Sequence, residues 1–301
     1  MGKLPHSGDP SALAPTFTHT QSFLPMRQLT ISACAALLIA PLAGCMSFKA
    51  SVSRTDQINH PSPAQLVEIL SKNGAISVQG AAVDEIQIEA KITAYGSTED
   101  EAEDVLDGAE VELIEDDGKL TVRLTSESPQ HTSASFKVLM PVELACQIET
   151  RNGGISVQDI DAPLVAKTRN GSVNVQDVGD TIDIDTSNGA VSVDSQTPAN
   201  VRIVTSNGTV RFGGSLIGQD NMLQTSNGRV VFELRDTPAL VTAKTNNGGI
   251  RMDGERIKSG NTTMVGSTDS SASEPAAVTI KTSNGEIIIK NETDAMVGEA
   301  A

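Results

Sequence analysis

The chain has 301 residues, a formal charge of −16, no tryptophan, one tyrosine (Tyr95) and six phenylalanines. That length suffices for one large or two ordinary domains. The acidic balance excludes nucleic-acid binding and a polybasic lipid contact, which need clustered Lys and Arg, and the scarcity of rings predicts a core of Val, Ile, Leu, Ala and Thr in thin, regular β layers.

Residues 1–25 hold four prolines (Pro5, Pro10, Pro15 and Pro25) and no apolar run, and read as an over-extended translation start. From Met26 the pattern changes. Met26-Arg27 gives a positive start, residues 29–42 form a short apolar stretch, and small residues follow, the three parts of a secretory signal over 26–44. The apolar run is shorter than the ~20 residues a spanning helix needs. Leu42, Ala43 and Gly44, with Cys45, resemble the bacterial lipobox read by the lipoprotein signal peptidase. The resemblance implies that Cys45 is acylated through its thiol and becomes the mature N-terminus, a membrane anchor. A rival phrase, Ile31-Ser32-Ala33-Cys34, leaves almost no apolar stretch after Met26. Met46, not Asp, follows Cys45, which in a cell with two membranes implies the outer one. With Cys34 removed and Cys45 lipidated, Cys146 has no partner for a disulfide.

Residues 45–65 then read as the lipidated cysteine and a tether, or a weak first strand. A repetitive β domain spans 66–290, its irregular first part at 66–140 and its regular repeats at 141–290, with a frayed tail at 291–301. Val67, Ile69, Ile76 and Val78 flank the first Asn-Gly, and Ile86, Ile88 and Ile92 alternate with polar residues as a strand. Thr98-Glu99-Asp100-Glu101 is a capping box, and Ala102, Val105, Leu106 and Ala109 follow at helical spacing, predicting one short helix over 98–108. Asp117-Gly118 then predicts a hairpin that sets Leu113 opposite Val122 and Val111 opposite Leu124. After a polar stretch at 126–135, Phe136, Val138 and Met140 alternate into Pro141.

The regular part repeats Thr-Ser-Asn-Gly. The corners are Asn73-Gly74, Asn152-Gly153, Asn170-Gly171, Asn188-Gly189, Asn207-Gly208, Asn227-Gly228, Asn247-Gly248 and Asn284-Gly285. From Asn152 onward they step by 18, 18, 19, 20, 20 and 37 residues. The long last step suggests a copy that lost its Asn-Gly near 260–265, with 266–275 an irregular Ser/Thr/Gly loop. With the Thr or Ser of each copy numbered zero, positions −4, −2, +5 and +7 are apolar, Asn221 being the one polar entry. A period of two on both sides of the corner means two short strands per copy, each with one buried face. Asn-Gly is expected to reverse the chain because both residues tolerate positive φ. An all-β solenoid, one coil per copy with identical residues stacked in ladders, accounts for the sequence identity between copies. The alternative is an antiparallel meander of two-residue Asn-Gly hairpins.

The phrase apolar-x-Pro, a spacer, then Thr-x-Asn-Gly-x-apolar-x-apolar, here at residues 138–157, resembles the putative-adhesin domain of bacterial envelope proteins. The resemblance extends over residues 66–289 and ends in the same phrase at Asn284-Gly285. It implies a solenoid-like envelope domain and brings no catalytic residues with it.

Candidate chemistry is sparse. His60 and His131 fall in Pro/Ser/Thr-rich stretches, read as surface loops, without metal-ligand or catalytic spacing. Cys146 takes a −4 position and reads as a small core residue. Asp177, Asp180, Asp183 and Asp185 are the densest carboxylate group, but they lack a calcium-loop pattern and read as solvated acids. The sequence thus predicts no catalytic residue, cofactor or metal. It points to a non-enzymatic, lipid-anchored envelope protein, an adhesin or surface scaffold with an envelope partner. An envelope-stress sensor or accessory protein is the alternative, and a polysaccharide-active β-helix enzyme is less favoured.

Overall fold

The structure is a computed structural model that describes residues 26–30, 50–61, 64–235, 238–257, 262–265 and 275–291. Among these the protein is all-β with one helix, and its 23 strands join one hydrogen-bonded sheet.

The first part caps one end of the sheet. β1 (Met26–Thr30) pairs antiparallel with β2 (Ala50–Pro61), which pairs with β5 (Glu85–Gly96) from Ala50 opposite Gly96 to Pro61 opposite Glu85. β2 is a full strand where the sequence suggests a tether or weak strand. Its inward residues are Val52, Arg54, Asp56, Ile58 and His60, so three polar side chains interrupt the apolar alternation. β3 (Leu66–Asn73) and β4 (Ile76–Ala81) flank the first corner. The helix α1 (Glu99–Asp107) starts where the capping box places it: Thr98 Oγ1 accepts from the Glu101 N–H at 3.2 Å. The Glu101 carboxylate accepts from the Ser97 N–H at 2.8 Å, and that bond holds its pKa below the ordinary value. α1 buries Ala102 and Leu106 against Val52, Ile92 and Ala94, a small core of its own. β6 (Ala109–Asp116) and β7 (Lys119–Ser126) form the expected hairpin, with Leu113 opposite Val122 and Val111 opposite Leu124. Asp117 (φ 45°) and Gly118 (φ 76°) make its turn. β8 (Thr132–Pro141) runs antiparallel to β5 and parallel to β4.

The repeats follow as β9 (Ala145–Asn152), β10 (Ile155–Ile160), β11 (Leu164–Asn170), β12 (Val173–Val178), β13 (Asp180–Asn188), β14 (Val191–Asn207), β15 (Val210–Leu216), β16 (Asn221–Asn227), β17 (Val230–Leu234) and β18 (Ala239–Asn247). The strands flanking a corner do not pair with each other. Each pairs in parallel with its equivalent in the neighbouring copy. β3, β9, β11, β13, the second half of β14 and β16 form one row; β4, β10, β12, the first half of β14, β15 and β17 form the other. This pairing overturns the antiparallel Asn-Gly hairpin: the corner joins two rows instead of closing a ladder. Inward residues of both rows form one cluster, in which Phe212 and Phe232 stack at 5.6 Å and 15°. Each buried Val, Ile or Leu contributes about 1.5–3 kcal/mol as an upper estimate.

The corners explain the repeated phrase atom by atom. Asn Nδ2 donates to the preceding Asn Oδ1, as from Asn152 to Asn73, Asn170 to Asn152 and Asn188 to Asn170, at 2.8–2.9 Å. The Thr hydroxyl donates to the preceding glycine carbonyl, as from Thr168 to Gly153 at 3.1 Å and Thr225 to Gly208 at 3.0 Å. The glycine N–H donates to the next Asn carbonyl, as from Gly153 to Asn170 at 3.1 Å. The expected reason for glycine is corrected here. Of the eight corner glycines only Gly74 has positive φ (133°), and no corner asparagine does. Glycine is needed because copies approach closely: a Cβ on Gly171 would lie 1.9 Å from the Gly153 carbonyl oxygen.

The C-terminal strands are β19 (Ile250–Met252), β20 (Glu255–Ile257), β21 (Thr262–Val265), β22 (Ala276–Asn284) and β23 (Ile287–Asn291). β22 lies between β16 and β18, and β23 between β17 and β19. Asn284 therefore donates to Asn227, and Asn247 donates to Asn284. Among the described residues no degenerate copy lies between the Asn247 and Asn284 copies, contrary to the expectation from the 37-residue step. The Asn284 copy, last in sequence, thus lies between the Asn227 and Asn247 copies, while β20 and β21 pair antiparallel with β19 and β18. Sequence order and stacking order differ here. Residues 266–274 and 292–301 lie outside the described residues.

Candidate functional site

The outer surface of the β4, β10 and β12 row carries hydroxyls and amides at matched register. Ser77, Ser156 and Asn174 align across the strands, as do Gln79, Gln158 and Gln176. Alternation produces this strip: odd partners Ile155, Val157, Val173 and Val175 go inward, so their neighbours must face out. Gln158 Nε2 donates to Gln176 Oε1 at 2.6 Å, leaving the outer lone pairs and N–H groups of the strip directed to solvent. At one end lies an open groove of about 300 Å³ lined by Gln57, Asn59, Ser77, Gln79, Gln87, Glu89 and Lys137 among others. Lys137 Nζ reaches Glu89 Oε1 at 2.9 Å on its rim. At the other end a depression of about 490 Å³ is lined by Gln176, Asp177, Asp194, Gln196 and Arg235. There Arg235 pairs with Asp194, and Asp177 Oδ1 accepts from the Gln196 N–H at 3.2 Å.

Further along the same row charge replaces amide. Glu233 meets Lys290 at 2.6 Å and Arg211 at 3.6 Å, while Glu286 meets Arg251 at 2.9 Å and Arg229 at 3.4 Å. These pairs join neighbouring copies through exposed Arg and Lys side chains, and such pairs are each worth about 0–1 kcal/mol.

The acidic group found in the sequence is not gathered into a ligand set. Asp183 pairs with Arg202 at 2.6 Å, Asp180 accepts from Thr181 at 3.3 Å, and Asp177 and Asp180 hold positive φ at strand junctions. Among the described residues no cluster of three or more His, Cys, Asp or Glu is placed to hold a metal. Cys146 is fully buried in the main cluster, and burial pushes its thiol up to about 12, where it is no nucleophile at neutral pH. His60 is corrected from surface loop to buried strand residue. It sits on β2 with Nε2 2.6 Å from Glu115 Oε1. His131 is half-buried beside the start of β8. Leu42, Ala43, Gly44 and Cys45 lie outside the described residues. Among those described, no helix is long and apolar enough to cross a membrane.

Two polar centres escaped the sequence reading. Arg54 is buried, with Nε on Asp56 Oδ1 at 2.9 Å and its other nitrogens on the Leu106 and Ala109 carbonyls at 3.3 and 2.6 Å. It ties β2 to the C-terminal end of α1, where the helix dipole favours a cation. Glu68 joins three strands: it accepts from Thr121 Oγ1 at 2.8 Å, Lys119 Nζ at 3.1 Å and Gln147 Nε2 at 3.2 Å. Partial burial alone would raise its pKa, but the bonds from Thr121 and Lys119 outweigh burial and hold it below the ordinary value. Only knowledge of which strands are neighbours reveals either centre.

No protein-family model matches the chain, and no curated protein sequence does. Solved structures do resemble it. A putative cell adhesion protein from Clostridium sporogenes shares 11% identity at a TM-score of 0.37, covering 81% of this chain and 100% of that one. A putative adhesin from Bacteroides fragilis shares 10% identity at a TM-score of 0.45, covering 81% and 97%. A putative lipid binding protein from Parabacteroides distasonis shares 11% identity at a TM-score of 0.32, covering 78% and 96%.

What the site can do chemically follows from its groups. The strip offers repeated neutral donors and acceptors one strand spacing apart, ~4.8 Å, suited to non-covalent hydrogen bonding along an extended partner.

Proposed function

We propose that this protein is a lipid-anchored β-solenoid of the bacterial envelope, of the putative-adhesin kind, that acts as a non-enzymatic binding scaffold. Cys45 carries the lipid, and the residue after it, Met46, directs the protein to the outer membrane where a cell has two. The single observation that carries the binding role is the amide and hydroxyl strip on β4, β10 and β12, flanked by two open depressions. Regular neutral groups on a stiff row need no ordering when a partner binds, so little side-chain entropy is lost.

Two measurements test the reading. In lipid-free protein carrying Cys45→Ala, replacing both Gln158 and Gln176 with alanine should weaken binding to added isolated cell-envelope fragments while leaving the melting temperature within about 2 °C of the Cys45→Ala parent, since Gln176 is exposed and Gln158 only half-buried. Undiminished retention would remove the strip from the proposal. Cys45→Ala should move the protein from the membrane to the soluble fraction; continued membrane association would show that the anchor lies elsewhere.

A further inference from the structure

The strands β22 and β23 occupy a slot with walls on both sides. β22 pairs in register with β16 from Val278 opposite Asn221 to Asn284 opposite Asn227, and with β18 from Ala276 opposite Ala239 to Asn284 opposite Asn247. β23 sits likewise between β17 and β19. Its neighbours carry the same Asn-Gly corner, so the slot selects a coil by ladder and column alone: a Thr hydroxyl, an Asn amide and inward Ile280 and Ile287. The coil enters after both walls have been laid down in the sequence.

The connection to that coil is much longer than the gap it crosses. Val265 on β21 and Ala276 on β22 both pair with Ala239, one on each side of it. They are thus two strand spacings apart, ~10 Å. The ten intervening residues, 266–275, can reach ~35 Å. That reach covers the slot of a second molecule placed end to end. Contacts made by the coil are the same in its own slot and in a copy's slot, so chain concentration and linker entropy decide between them.

We propose that residues 276–291 form an exchangeable coil and that a second copy of this chain is its partner, the two molecules trading last coils at their C-terminal ends. The exchange would join two anchored scaffolds end to end.

The test reads directly whose coil fills a slot. In chains with Cys34 and Cys45 replaced by Ser, Gln224→Cys is made in one batch and Lys281→Cys in another, because these residues are partners across β16 and β22. Refolded together at high concentration and oxidised, they should yield a disulfide-linked dimer at least ~10-fold above the same chains refolded apart and then mixed, given that exchange is frozen once each slot is filled. Equal, low yields in both arms overturn the exchange.

Discussion

Gly208 lies so close to the copy before it that a Cβ there would stand 2.0 Å from the carbonyl oxygen of Gly189. Nothing flexible is available to yield, since the obstructing atoms are backbone held in two rows of hydrogen bonds. Gly208→Ala should therefore destabilise by about 1–3 kcal/mol, the cost of overpacking, although its φ is ordinary. Gly249, one residue past a corner, has open space around its Cβ position and ordinary φ. Gly249→Ala should be neutral or stabilise by up to ~1 kcal/mol through the unfolded chain. Urea unfolding of both variants checks the contrast; equal effects would mean that the corner glycines are not chosen by close approach.

The asparagine ladder makes a graded prediction. Asn207 takes part in two ladder bonds, donating to Asn188 and accepting from Asn227, each at 2.9 Å, whereas among the described residues Asn247 ends the ladder and takes part in one ladder bond, donating to Asn284. Each such bond contributes about 0.5–1.5 kcal/mol net. Asn207→Ala should then cost roughly twice what Asn247→Ala costs, as read from denaturant midpoints at unchanged slope. An equal loss at both positions would place the value of asparagine in its backbone preference.

The inward columns at −4, −2, +5 and +7 were legible because they are a local property of each copy, and so was the capping box of α1. The purpose of the glycine was not, because a one-dimensional reading sees only a residue's own φ preference and not the neighbour stacked against it. The order of the last copies was hidden for a related reason: Asn227 and Asn284 are distant in sequence, and their adjacency depends on the coil that enters last. β2 is not legible as a strand because Arg54, Asp56 and His60 point inward, and the partners of Arg54 and His60 on α1 and β6 come some fifty residues later. The amide strip was present in plain text as Ser-x-Gln and Asn-x-Gln, but its meaning needed parallel register.

Asn221 occupies an apolar column where every equivalent copy has Val, Ile, Leu or Cys. Pattern alone recommends Asn221→Val. The structure predicts the opposite. Its Oδ1 accepts from the Val201 N–H at 2.7 Å, and its Nδ2 donates to the Ile217, Gly218 and Ala277 carbonyls at 2.9, 3.2 and 3.0 Å. It replaces the backbone partners lost where the chain detours through Gly218 (φ 75°). Asn221→Val should cost about 2–4 kcal/mol by leaving buried groups unpaired, measured by thermal or urea unfolding. A stabilised variant would show that those groups find other partners.

Cys146 couples stability to alkaline pH. Burial raises its thiol from the ordinary value of 9.0 to about 12 in the folded protein. Below the unfolded pKa both states keep the proton and the thiol adds no pH dependence. Between about 9 and 12 the unfolded chain releases a proton that the folded chain retains, so stability falls as pH rises through that window. The slope from this group approaches 1.4 kcal/mol per pH unit. Cys146→Val, which matches Val67 in the same column, should flatten the dependence between pH 9 and 11 by that amount. Urea midpoints of both proteins at pH 8 and pH 10.5 supply the test, with Tyr95 and the lysines common to both. Identical slopes would mean that the thiol is solvated in the folded state. In that case a thiol reagent would also label the native protein at pH 8, whereas a buried Cys146 should react only after denaturant is added.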